Sequence, residues 1–152
     1  MGRFPSHERR PQDFKPGRIP TTPPAEAVLA AAARASYRPD GTHKSHPAPN
    51  GEWDFVPASG GTRCLHIDQR DWPKLEAALR QAIRAGVVDQ QLRGDFPARC
   101  WVFVNDTLNE ARLSNEVTGE YHGFPIDYEG NYPSDPGNAL ARAPRIEVRI
   151  VR

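Results

Sequence analysis

The spacing of hydrophobic residues predicts one strong amphipathic helix over residues 72–85. Apolar side chains recur three and four positions apart there, and therefore form one stripe along the helix. The stripe consists of Trp72, Leu75, Leu79, Ala82 and Ile83. Asp71 precedes the helix as the expected cap, and Gly86 is expected to end it. The stripe should pack against a sheet.

Short apolar or alternating runs predict strands over residues 53–57, 62–68, 99–104, 107–113, 120–126 and 145–152. Asn105 and Asp106 are typical of a two-residue hairpin turn between the third and fourth of these strands. An earlier, alanine-rich helix is expected to run from Pro23 to about Tyr37. Helices followed by strands joined through short turns indicate an α+β fold. We expect one or two N-terminal helices on a four- to six-stranded, mainly antiparallel sheet.

Proline separates an N-terminal arm from the rest of the chain. Ten of the 16 prolines lie before residue 60. Because proline lacks an amide donor and has a restricted φ, residues 1–22 are predicted to be an extended Pro-rich arm or linker. The chain of 152 residues has room for one ordinary domain, which we place at residues 23–152.

Composition and motifs exclude several classes of protein. The 20 Lys and Arg residues balance 19 Asp and Glu residues, so bulk charge indicates neither a nucleic-acid nor a membrane partner, although both ends are locally basic. Cys64 and Cys100 form no CxxC pair, and neither metal nor cofactor is expected. A disulfide between them stays open. The sequence contains no phosphate loop, dinucleotide fingerprint, nucleophile elbow or zinc-deaminase signature.

The sequence offers no membrane span and no signal peptide. No apolar run reaches the ~18–20 residues of a transmembrane helix. The first residues lack the apolar core of a signal peptide. We therefore expect a cytoplasmic site of action, with delivery as part of a larger secreted protein as the alternative.

Two central strands concentrate side chains that can carry chemistry. Glu110 and Arg112 share one face of their strand, and Tyr121 and His122 lie on the next strand. If the strands pair, these groups lie within ~5–8 Å of one another. In RNA cleavage by the 2′-hydroxyl, Glu110 would take the proton, His122 would protonate the leaving oxygen, and Arg112 would stabilise the phosphorane. The alternative is a structural ion pair beside a hydrogen-bonded histidine.

Further candidates surround this group. His66 and Tyr121 are additional candidate catalytic residues, with His66 as a possible second imidazole on a strand. Tyr128 and Tyr132 are candidates for stacking on bases. Arg149, in the basic C-terminal segment, is a candidate for binding the substrate. A structural role is the alternative for each of them.

The string at Glu110–Pro125, which reads EAR…N…G.YHG.P, resembles the C-terminal toxin domains of bacterial polymorphic and contact-dependent inhibition systems. The resemblance covers roughly residues 53–152. Many such toxins are metal-independent ribonucleases of the barnase–EndoU–colicin–RelE-like group, with helices ahead of an antiparallel sheet. The resemblance implies Glu110, Arg112 and His122 as site residues. It also implies RNA, with tRNA as one candidate, and a cognate immunity protein as partners; nothing indicates DNA.

Two other classes of function stay open. One is a non-enzymatic protein-binding module, such as an immunity, adaptor or phage accessory protein, whose Pro-rich arm becomes ordered on a partner. The other is a toxin that attacks nucleotides or NAD, for which arginine, glutamate and tyrosine also serve.

Overall fold

A computed structural model of the chain describes residues 15–38 and 67–151. The predicted strand at 53–57, most of the one at 62–68, and the candidate His66 lie outside the described residues. The described residues form two α-helices, α1 (Glu26–Ala31) and α2 (Trp72–Arg84). The strands are β1 (Ser36–Tyr37), β2 (Leu92–Arg93), β3 (Phe96–Pro97), β4 (Arg99–Val104), β5 (Thr107–Asn115), β6 (Glu120–Pro125) and β7 (Arg145–Ile146). None of the described helices is long and apolar enough to cross a membrane.

Five strands form one sheet in the order β1-β6-β5-β4-β7, and β2 and β3 form a separate hairpin. The three long strands, β4, β5 and β6, pair antiparallel, whereas β1 and β7 pair parallel to their neighbours. The predicted α+β class is thus confirmed, with a mixed sheet. The sheet is mixed because its two outer strands come from segments distant in the chain, and their direction depends on how those segments dock.

The predicted amphipathic helix is confirmed as α2, whose apolar stripe is buried except for Trp72, which is half-buried. The first predicted helix is too long. After α1 the chain makes a single 3₁₀ turn, and Ser36–Tyr37 then joins the sheet. The amides of Ser36 and Arg38 donate to the carbonyls of Gly119 and Tyr121 at 2.9 and 2.8 Å. These bonds to the edge of β6 replace the last helical turn, so an exposed sheet edge overrides the local helix preference.

The two-residue turn at Asn105 and Asp106 is confirmed. Both residues have positive φ, 49° and 66°, as the favoured hairpin turn requires. Val104 therefore lies opposite Thr107, and this pairing determines the register of the whole β4–β5 hairpin.

Helix α2 packs on one face of the sheet. Leu75 and Leu79 of α2 line an apolar cavity together with Val102, Val104 and Ala111 of the sheet. Since side chains alternate along a strand, the residues between these point to the opposite face, which we call the site face. Cys100 lies on the helix side, where it is a fully buried free thiol, and burial raises its pKa well above the usual range.

Residues 15–19, which we call the N-terminal strap, lie on the domain. Ile19 is completely buried, and its amide donates to the carbonyl of Ser134 at 2.8 Å. The amide of Ser134 donates in turn to the carbonyl of Gly17 at 2.9 Å. The core therefore begins ahead of residue 23, because the side chain of Ile19 supplies part of it.

Candidate functional site

Three basic side chains form one row across the middle of the site face. Arg99 of β4 lies opposite Arg112 of β5, and Arg112 lies opposite His122 of β6. The next row carries Trp101, Glu110 and Phe124 in the same order. Neighbouring strands are only ~4.8 Å apart, so each row brings its side chains side by side.

Glu110 is the centre of this cluster and is completely buried. Its Oε2 accepts a hydrogen bond from Arg112 Nε at 2.6 Å, and its Oε1 accepts one from Trp101 Nε1 at 3.2 Å. The Nη1 of Arg99 lies 3.7 Å from Oε1. A buried carboxylate is stable only when it is paired and hydrogen-bonded in this way. Both oxygens are therefore occupied by side chains of the protein.

Arg112 is the most exposed member of the cluster, and the buried His122 lies opposite it on β6. The side chain of Arg112 is 30% exposed, and its Cζ lies 5.1 Å from the centre of the Phe124 ring. The His122 ring lies 6.4 Å from the same phenylalanine ring, and His122 is 9% exposed. The short bond to Glu110 and the aromatic surface together hold the guanidinium in one orientation beside the imidazole.

The network continues beyond Glu110 to residues that the sequence reasoning missed. Arg99 Nε lies 3.4 Å from Oδ2 of Asp89, which is only 4% exposed. Arg99, Trp101 and Asp89 were not predicted as site residues. Arg99 and Trp101 could have been predicted, because the two-residue turn at Asn105–Asp106 places position 101 opposite 110 and position 99 opposite 112. No sequence pattern around Asp89 indicated that it belongs to the site.

Tyr121 does not join this cluster. It follows the alternation of β6 to the helix side of the sheet, where it is completely buried. Its hydroxyl donates to the carbonyl of Pro97 at 2.6 Å, and burial raises its pKa far above the usual range. The Tyr121 hydroxyl therefore has a structural role, because its hydrogen bond joins β6 to β3.

The other candidates are dispersed. Tyr128 is about half exposed and packs over Gly130, while Tyr132 is half-buried against the core. Arg149 donates through its amide, Nε and Nη2 to the carboxylate of Asp71 at 2.7–3.1 Å. These bonds hold the pKa of Asp71 well below its usual range. Arg149 thus ties the C-terminal segment to the start of α2.

Asp71 stands ahead of α2 but makes no capping bond. Asp68 instead caps the preceding 3₁₀ turn by accepting from the amide of Arg70 at 2.9 Å. Hydrogen bonds from the Arg70 side chain, at 2.7 and 3.0 Å, lower the pKa of Asp68 to about 2.

Among the described residues, no three side chains of the His, Cys, Asp or Glu type are grouped so that they could hold a metal ion. Comparison of the chain with protein-family models, curated proteins and solved structures gives no match.

Proposed function

We propose that the protein is a toxin domain that cleaves RNA without a metal ion, at the pair formed by Arg112 and His122. One observation carries the proposal. The partly exposed Arg112 lies opposite His122 in the sheet, and the fully buried Glu110 holds its guanidinium at 2.6 Å. The resemblance of the Glu110–Pro125 string to bacterial toxin domains supports the same assignment.

Arg112 is suited to stabilise the transition state. Cleavage of a phosphodiester passes through a pentacoordinate phosphorane that carries additional negative charge on its oxygens. Donors held in advance where that charge develops give the largest catalytic effect, because they need no reorganisation during the reaction. A guanidinium bound to a buried carboxylate and lying on an aromatic ring meets this condition.

His122 is suited to accept the proton of the nucleophile, because imidazole changes protonation state near neutral pH. In the proposed step, His122 takes the proton of the 2′-hydroxyl and the 2′ oxygen forms a bond to phosphorus. The bond from phosphorus to the 5′ oxygen breaks, the leaving oxygen takes a proton from water, and the hydroxide that remains takes back the proton from His122. The products are a 2′,3′-cyclic phosphate and a 5′-hydroxyl.

We assign Glu110 a positioning role rather than the role of general base that its residue type suggested. Its burial leaves no exposed surface for a 2′-hydroxyl, and both of its oxygens already accept bonds or lie near cations. In this proposal RNA, with tRNA as one candidate, is the substrate. A cognate immunity protein would cover the pair, and the site of action would be the cytoplasm of a recipient cell.

The test is incubation of the purified protein with total RNA and with tRNA in EDTA. The wild-type protein is expected to leave cyclic-phosphate ends. His122→Ala should lower the rate by about 10²-fold or more, and Arg112→Ala by about 10²–10³-fold. Arg84→Ala is the matched control, because Arg84 is an exposed arginine at the end of α2. Equal cleavage by the wild type and both site variants would refute the assignment.

The closed ion network around Glu110 also favours a second candidate, a non-enzymatic binding module, since such networks often have a structural role. The same assay should therefore include ATP and NAD as substrates. If RNA, ATP and NAD all remain intact, the binding-module hypothesis gains support. It then predicts that a stable partner protein is recovered with the intact chain.

A further inference from the structure

The N-terminal strap lies directly on the tryptophan that contacts Glu110. A Cβ atom added to Gly17 would lie 2.7 Å from both Cζ2 and Cη2 of Trp101. The Nη1 of Arg99 donates to the carbonyl of Lys15 at 2.6 Å. Gly17 and Lys15 of the strap thus contact Trp101 and Arg99, the two side chains of β4 that lie next to Glu110.

These contacts form two continuous paths from the strap to Arg112. One path runs from Gly17 through the ring of Trp101, whose Nε1 donates to Glu110 Oε1 at 3.2 Å. The other runs from the carbonyl of Lys15 through Arg99 to the same carboxylate. Glu110 in turn holds Arg112 Nε at 2.6 Å. A displacement of the strap would therefore be transmitted to the guanidinium.

Apart from the bond between the carbonyl of Lys15 and Arg99, the hydrogen bonds described for the strap lie at Gly17, Arg18 and Ile19. The amide of Arg18 donates to Asp89 Oδ1 at 3.1 Å, and its carbonyl accepts from the amide of Gln90 at 2.8 Å. Ile19 anchors the end of the strap in the core. The part at Lys15 and Gly17, which contacts the site, lies nearest to the preceding chain, where a pull or a bound partner would act first.

We propose that the strap regulates the site: when docked, it holds Arg99 and Trp101 against Glu110 and so keeps Arg112 in its working position. Arg99 and Trp101 are positioning residues in this mechanism and do not touch the substrate. The inference rests on the proposed ribonuclease function. The coupling between the strap and Arg112 can be measured without any RNA.

The first test compares Gly17→Ala with Gly137→Ala. An added Cβ at position 17 forces the strap or the buried indole to move, whereas at position 137 it would meet Thr21 at an ordinary 3.5 Å. The readout is the NMR signal of the Arg112 Nε–H group, with circular dichroism to confirm folding. We expect the signal to shift or broaden in Gly17→Ala only, and kcat for RNA to fall by on the order of 10-fold with KM little changed.

The second test removes the indole donor and keeps an aromatic ring, in Trp101→Phe. Trp72→Phe is the matched control, because Trp72 donates its own Nε1–H to the carbonyl of Ile67, a contact outside the Glu110 network. Trp101→Phe should change the Arg112 signal and lower kcat, and Trp72→Phe should do neither. If Gly17→Ala does not fold, the comparison of Trp101→Phe with Trp72→Phe still tests the proposal.

The outcomes separate the two proposals. An Arg112 signal that is unchanged in both Gly17→Ala and Trp101→Phe would overturn the coupling. A changed signal in a protein whose wild type cleaves no RNA would uphold the coupling and refute only the ribonuclease function. A changed signal with unchanged kcat would refute regulation by the strap.

Discussion

Replacing Glu110 with glutamine is the sharpest test of how the site cluster is held together. The substitution keeps the size of the side chain and one acceptor oxygen, but it removes the negative charge. Arg112 and Trp101 donate to that carboxylate, and Arg99 lies 3.7 Å from it. Arg112 and Arg99 would then lie beside a neutral side chain instead of a carboxylate.

The expected loss of stability follows from the exposure of the partners. Breaking a buried ion pair by removing one partner costs about 3–5 kcal/mol. The side chains of Arg112 and Arg99 are 30% and 17% exposed, so water can solvate part of their charge once the carboxylate is gone. Glutamine also retains one acceptor. We therefore expect a loss of about 2–3 kcal/mol in the free energy of unfolding, which lowers Tm by about 4–12 °C in a chain of this size.

Urea unfolding at neutral pH measures this free energy, and thermal melting gives Tm. Glu129→Gln is the matched control: Glu129 is exposed, and its substitution should change stability by less than about 0.5 kcal/mol. A Glu110→Gln protein that unfolds within about 0.5 kcal/mol of the wild type would show that the carboxylate does not hold the cluster together. In that case Glu110 would not be the group that holds the Arg112 guanidinium in position.

Two further predictions concern stability. Arginine hydrogen bonds lower the pKa of Asp68 to about 2, and that of Asp71 as well, from the ordinary value of 3.8. The stabilisation they give is complete above about pH 5 and is lost as the pH falls from about 4 through 2. Urea unfolding between pH 5 and 2 should show this slope, and Asp71→Asn should flatten it; an unchanged slope would contradict the assignment. Gly119→Ala, with φ at +78° and an added Cβ 2.5 Å from the Phe96 ring, should lose about 2–4 kcal/mol in urea unfolding. Gly94→Ala, with φ at +64° and no atom within 4 Å, should lose only about 1–2 kcal/mol, and equal losses would refute the steric argument.

Part of the candidate site could be predicted from the sequence. The alternation along β5 places Glu110 and Arg112 on one face, and His122 is opposite Arg112 as the structure shows. The exact pairing with β6 could not be derived, because the connection at 116–119 is not a two-residue turn and the register shifts between Leu113 and Asn115. The burial of Glu110 could not be derived either, since it depends on side chains of other strands, such as Trp101.

The sequence by itself determined the features that depend on neighbours along the chain. The apolar stripe of α2 and the hairpin turn at Asn105–Asp106 are examples, because helix periodicity and turn conformation are local properties. Only the tertiary structure decided the parallel docking of the two outer strands, the contact of Gly17 with Trp101, and the pairing of Arg149 with Asp71. Each of these joins residues far apart in the chain, where complementary shape and charge in three dimensions, rather than sequence spacing, select the partner.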